Sequence, residues 1–271
     1  MTRTSKSDWL NDWLAQMNNM YVSGHESFRK RLNLPDNSVV TIRYINLRGR
    51  YIWILTVESI EEDWSAIKTS LTNNQDFNLI NEKFGKELNI LLFSPTNPNI
   101  FSYKIFDRNY IDVDSNGLIM AFNSQLPNIN QNPGTVKNRN KSLNDNFQLW
   151  TRSKLSKYSV INDFDAVFLN NGSGKDDYIY ELKRVRENMD SWEPYTDELR
   201  NYERVNKISG MLSFNNMILA YNFDNPNHFA AHYNVNPQNS AIKGTKSVFS
   251  VLENSYIDKP KNYVSTRKRQ R

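Results

Sequence analysis

Cysteine is absent from the 271 residues, which excludes disulfide frameworks, thiolate metal centres, iron–sulfur clusters and cysteine nucleophiles. Three histidines leave little for a zinc hydrolase, and nine glycines are too few for a glycine-rich nucleotide-binding framework. No apolar run approaches the roughly 18 residues that span a bilayer. The opening M-T-R-T-S-K-S-D-W lacks the apolar stretch of a leader peptide. A cytoplasmic chain without membrane association is the expectation.

What the sequence does have is aromatic bulk: 14 Tyr, 14 Phe and 6 Trp at a mean hydropathy of -0.70. Disordered chains are poor in such residues, so a folded protein is expected. The net charge of +5 is uneven. Residues 1–135 carry 13 basic and 14 acidic side chains, against 21 and 15 in residues 136–271. Four of the positive charges, Arg267, Lys268, Arg269 and Arg271, sit in a terminal tail, so bulk basicity is poor evidence for a polyanionic partner.

Hydrophobic periodicity outlines the elements. Trp9, Leu10, Trp13, Leu14, Met17, Met20 and Tyr21 recur at spacings of three and four, which predicts one amphipathic helix. Strands are expected at 39–45 and 51–57, joined as a hairpin by N-L-R-G-R, and again at 89–94 and 101–106. Helices are expected at 60–71 and 76–87, and a hairpin turning on Asn116-Gly117 over 110–122. Residues 124–142 are polar and lack an apolar period, so they are read as a linker between an N-terminal α+β region (1–123) and a second region (143–271). That second region predicts a helix at 143–156, a strand at 164–169, a polar loop, a strand at 178–185, a helix at 197–213 and a strand at 217–223.

The chemistry concentrates in N-D-F-D-A-V-F-L (162–169) and Y-I-Y-E-L-K-R-V (178–185). Strand side chains alternate, so Glu181 and Lys183 share one face, and Asp163 and Asp165 share one face of the preceding strand. Paired as a hairpin, the two strands bring an Asp beside a Glu, with a Lys adjacent. Two neighbouring carboxylates repel unless a cation bridges them, and a hard ion such as Mg2+ or Mn2+ suits oxygen ligands. A Lys two residues on can orient a water or stabilise developing charge, the equipment for metal-assisted phosphodiester hydrolysis.

Asp165, Glu181 and Lys183, in their strand–loop–strand setting with a helix and strand following, resemble the PD-(D/E)xK nuclease superfamily typified by type II restriction endonucleases. The likeness covers roughly residues 143–223. It implies an α/β (mixed α+β) fold whose core is a mixed sheet flanked by helices, in the order helix, three strands, helix, strand. The first of those strands would lie near Tyr158 to Ile161. The resemblance further implies a metal held by Asp165, Glu181 and the backbone carbonyl of Leu182, with Lys183 acting on the water. The Pro that usually precedes the Asp is missing. Asp165 is preferred because D-A-V-F-L matches the family's Asp and apolar run, and Asp163 is the alternative ligand. Asp145 is a candidate accessory acid or a plain helix N-cap. Arg184, Arg186, Arg200, Arg204 and Lys207 are candidate phosphate contacts or solvated charges. Double-stranded DNA, often cut by a homodimer in restriction or phage defence, is the implied setting. The alternatives are a non-catalytic nucleic-acid-binding protein on the same fold, and an RNA or single-strand nuclease.

Other signals are weaker. D-V-D-S-N-G (112–117) imitates an EF-hand start, but Asn123 stands where the loop needs Glu. G-S-G-K (172–175) lacks the spacing of a phosphate loop. His228 and His232 have no acid at metalloprotease spacing.

Overall fold

A computed structural model describes residues 8–105, 108–130, 145–171, 176–222, 225–238, 240–256 and 260–268. These form seven α-helices and fourteen strands in two mixed sheets, the α/β class expected from sequence. The chain makes two compact units that interleave along it. The first is Ser23–Phe164, and the second joins the described residues of Thr4–Val22 to those of Asp165–Arg271.

In the first unit, α2 (Glu26–Arg31) precedes the hairpin of β2 (Val39–Leu47) and β3 (Arg50–Glu58). The hairpin tip, Arg48 and Gly49, has positive φ at both residues, the left-handed geometry whose twist matches paired strands. From β3 the chain passes through α3 (Trp64–Asn73) and α4 (Gln75–Lys83) into β4 (Leu88–Phe93), parallel to β3. Strands β5 (Ile100–Lys104) and β6 (Ile111–Asp114) follow antiparallel. The expected hairpin over 110–122 is instead β6 followed by α5 (Ser115–Gln125). Asp114 decides this by accepting the Gly117 N–H at 2.8 Å, an N-cap that starts a helix where Asn-Gly suggested a turn. Next come α6 (Asn146–Lys154) and β7 (Ser159–Asp163), which closes the sheet in the order β6-β5-β4-β3-β2-β7. Phe122, Phe147 and Trp150 from the helices pack with Ile45, Ile54 and Phe93 of the strands.

Of the expected linker, 131–142 lies outside the described residues, and Leu126 and Ile129 are buried in the first unit's core. The units divide at Phe164/Asp165 and Val22/Ser23, not within that polar stretch. The helix and first strand expected to open the catalytic region, α6 and β7, belong to the first unit, where β7 pairs with β2.

The second unit takes its first elements from the N-terminal end of the chain. The expected long helix is α1 (Asp8–Ala15) followed by β1 (Met20–Val22), with Asn19 at φ 60 turning between them. Met20 and Tyr21 fitted a helical period, but all three β1 residues are buried and pair with β8 (Ala166–Phe168). The sheet continues through β9 (Tyr178–Val185), α7 (Leu199–Leu212) and β10 (Asn215–Asn222), then β11 (Asn225–Gln238), β12 (Ala241–Ser250), β13 (Ser255–Tyr256) and β14 (Lys261–Ser265). Its order is β1-β8-β9-β10-β11-β12-β13, with β14 also on β12. Leu10 and Leu14 of α1 pack with Leu182, Leu219 and Phe229, while Tyr202 of α7 packs with Val185, Ile218 and Ala220. Adjacent strand residues thus belong to opposite cores, so helices cover both faces of the sheet. The terminal tail is docked as far as Arg267, whose carbonyl accepts the Thr196 N–H at 2.8 Å.

Candidate active site

Strand β9 is interior to its sheet, antiparallel to β8 through Ala166↔Tyr180 and parallel to β10 through Glu181↔Ile218 and Lys183↔Ala220. Its alternation sends Leu182 into the α1 core and Glu181 and Lys183 to the α7 face, as the sequence pattern requires. Charged side chains on an interior strand need partners, because burial without them is costly. Lys183 Nζ lies 2.7 Å from Glu181 Oε1 and 2.8 Å from Glu198 Oε2, the latter at the N-terminal end of α7. All three are largely buried, with side chains 16%, 23% and 16% exposed. Tyr202, one helical turn after Glu198, donates its hydroxyl to Glu198 Oε2 at 3.1 Å, and its ring lies 5.7 Å from Lys183 Nζ.

Burial opposes the Lys183 charge, but Glu181, Tyr202 and Glu198 outweigh it and hold the ammonium above the ordinary lysine range. Lys183 is therefore a fixed cation at neutral pH, placed to stabilise negative charge or orient a water rather than to take a proton. Burial pushes the Tyr202 phenol up, against the opposing pull of Lys183, so it remains a donor.

Asp165 precedes β8 by one residue, and the ladder register continued backward sets it opposite Glu181. Its Oδ2 accepts the Leu182 N–H at 2.8 Å, fixing the carboxylate against β9. Among the described residues no group of three His, Cys, Asp or Glu side chains is gathered to hold a metal. The donors at hand, two carboxylates and the Leu182 carbonyl, are hard oxygens. Mg2+ characteristically uses one or two carboxylates and keeps several waters, so this donor set suits it in kind.

The structure gives Asp163 and Asp145 other neighbours. Both belong to the first unit, where Arg43, 1% exposed, forms a short ion pair with Asp145 Oδ2 and has its Nε 3.3 Å from Asp163 Oδ1. Gln148 Nε2 donates to both Asp163 oxygens, at 3.2 and 3.0 Å. Asp145 also caps α6, accepting the Gln148 N–H at 2.7 Å, as its N-cap reading has it. Burial opposes the Arg43 charge, but the two aspartates outweigh it and keep it protonated.

Of the candidate phosphate contacts, Arg184 and Arg186 are exposed, and Arg184 alternates to the face opposite Lys183. Arg200 and Lys207 are exposed on α7, while Arg204 is half-buried and donates to Asn201 Oδ1 at 3.3 Å. Sequence reasoning missed Glu198 and the polar role of Tyr202. Their one signal is the four-residue spacing that lets a tyrosine hydroxyl reach a glutamate one turn earlier.

No family model matches the chain, and no match was found among curated proteins or solved structures.

Proposed function

We propose that this chain is a divalent-metal-dependent endonuclease hydrolysing phosphodiester bonds in double-stranded DNA. The observation that carries the reading is the cluster of Glu181 and Lys183 on interior strand β9 with Glu198 at the start of α7, and Asp165 pinned to β9 through Leu182 N. The element order supports it. Within the second unit, α1, β1, β8, β9, α7 and β10 run helix, three strands, helix, strand, with the first unit inserted between β1 and β8.

In this reading Asp165, Glu181 and the Leu182 carbonyl would hold Mg2+ or Mn2+, which would supply Lewis-acid polarisation of the phosphate and a more acidic water. Lys183 presents its ammonium to the negative charge that builds on the phosphate, and Glu198 with Tyr202 keeps that ammonium in place. Glu181 and Glu198 also raise the cost of losing the Lys183 proton, so the cation persists through turnover. A homodimer in the cytoplasm, serving restriction or phage defence, is the setting we infer from the motif.

The test is incubation of supercoiled plasmid and linear duplex with Mg2+, Mn2+, Ca2+ or EDTA. Nicking or linearisation with Mg2+ or Mn2+ alone supports the reading; discrete fragments indicate a recognition sequence, and a smear a general nuclease. Parallel incubation with RNA and single-stranded DNA separates those substrate classes. Intact DNA under all conditions removes the reading.

A further inference from the structure

We infer that the first unit carries a nucleic-acid grip at the tip of the β2–β3 hairpin, which takes one nucleotide of a strand. This deepens the nuclease reading by naming where substrate is held. Arg48 and Arg50 flank the tip, both exposed, and line a cleft of about 460 Å³ with Leu47, Leu126, Pro127 and Asn128. The register Leu47↔Ser159 brings the start of β7 alongside, so Lys157 and Tyr158 stand at the same end of the sheet. Tyr158 is 53% exposed, unusual for so large a ring, with Arg48 Cζ 5.8 Å and Lys157 Nζ 5.3 Å from its centre. The ring gathers two cations on one exposed aromatic surface.

Two features point to a polyanion. First, residues 46–51, 126–130 and 150–160 contain no acidic side chain. Among the described residues none of Arg48, Arg50 and Lys157 has a carboxylate partner. Second, charge is segregated along the hairpin. Arg50 opens β3 and Glu58 closes it, followed by Glu61, Glu62 and Asp63. At about 3.3 Å per strand residue the basic and acidic ends lie roughly 26 Å apart. Arg48 itself occupies a left-handed position, φ 51, that hairpin turns reserve for Asn, Asp or Gly. A long cation there works against the turn, so Arg48→Asn is a substitution the fold favours.

Phosphate on the two arginines and Lys157, with a base or sugar over the apolar floor of Leu47, Leu126 and Pro127, uses every part of this surface. A run of acidic side chains would engage the cations but carries no flat or apolar group for the floor of Leu47, Leu126 and Pro127.

The test is fluorescence anisotropy of labelled duplex and single-stranded 20-mers with the full chain in EDTA, so that cleavage plays no part. Arg48→Asn/Arg50→Ala should weaken binding by about tenfold or more at 0.1 M salt and lower the log–log salt slope by about 1.5 to 2. Lys30→Ala/Lys83→Ala, with the same charge change elsewhere in the unit, should bind like wild type. Arg48→Asn alone should raise Tm, because it relieves the turn, so a loss of binding is not a loss of fold. Equal loss in both double variants, or none in the first, overturns the grip. Binding only of poly-glutamate would assign the surface to acidic protein. Cleavage without patch-dependent binding removes the grip and leaves the nuclease reading, and patch-dependent binding without cleavage does the reverse.

Discussion

Lys183 is the residue on which the site depends. Replacing it with Ala leaves Glu181 and Glu198 as neighbouring, largely buried like charges, and breaking such a buried pair costs about 3–5 kcal/mol, less here because the cluster is partly wetted. Chemical denaturation should show Lys183→Ala clearly less stable than wild type, and Lys183→Ala/Glu198→Gln should recover part of that loss. Full stability in the single variant would contradict the cluster. A second residue-scale prediction concerns His232, fully buried with neither ring nitrogen hydrogen-bonded to a described residue, and edge-on to Trp192 and Tyr263 at 5.0 and 5.3 Å. Burial, aided by Lys246, pushes its pKa down to about 3. The unfolded imidazole titrates near 6.5, so the unfolded state takes the proton first. The stability His232 contributes is therefore complete above about pH 6.5 and drains away as pH falls toward 3, by up to roughly 4–5 kcal/mol. Urea midpoints of wild type should drop across that window, and those of His232→Leu should drop less; parallel profiles would refute this. At this scale the sequence was legible where chemistry is written locally, as in Asp165, Glu181 and Lys183. Glu198 escaped because its partner, Lys183, is fifteen residues away on another element.

At the element scale, the long apolar, β-branched runs of β2 and β3 and the Glu181/Lys183 alternation of β9 are readable, and the failures have specific causes. Met20 and Tyr21 satisfied a helical spacing by coincidence, and only pairing with β8 makes them a strand. Asn116-Gly117 was read as a turn because the capping bond from Asp114 is invisible without its geometry. Strand β11 is hidden because Ala230, Ala231 and His232 are consecutively buried in an otherwise polar stretch, so neither a long apolar run nor a clean alternation marks it. Asp145 separates two roles at this scale. If it caps α6 and neutralises Arg43, Asp145→Ala should destabilise the first unit by about 3–5 kcal/mol, whereas Asp145→Asn keeps the cap and loses less. Activity of the folded Asp145→Asn protein should stay near wild type. Abolished cleavage with unchanged stability would reinstate it as an accessory acid.

For the whole molecule, the decisive feature is that the second unit is built from both ends of the chain. No reading of the polar stretch after Gln125 could show this, because β1 finds its partner about 145 residues later. A fragment of residues 143–271 lacks α1 and β1, and with them Leu10, Leu14, Met20 and Val22 of the core. It should show no cooperative thermal transition, and a stable fragment would contradict the division. The catalytic assignment has its plainest check in plasmid cleavage with Mg2+ at saturating protein, comparing wild type with Lys183→Ala and with Glu181→Ala after each is verified as folded. Removing one charge-stabilising group characteristically costs about 10²–10³ in rate. Mg2+-dependent cleavage should fall at least about a hundredfold in each variant, with DNA binding in EDTA retained; equal cleavage by wild type and variants would refute the roles of Lys183 and Glu181.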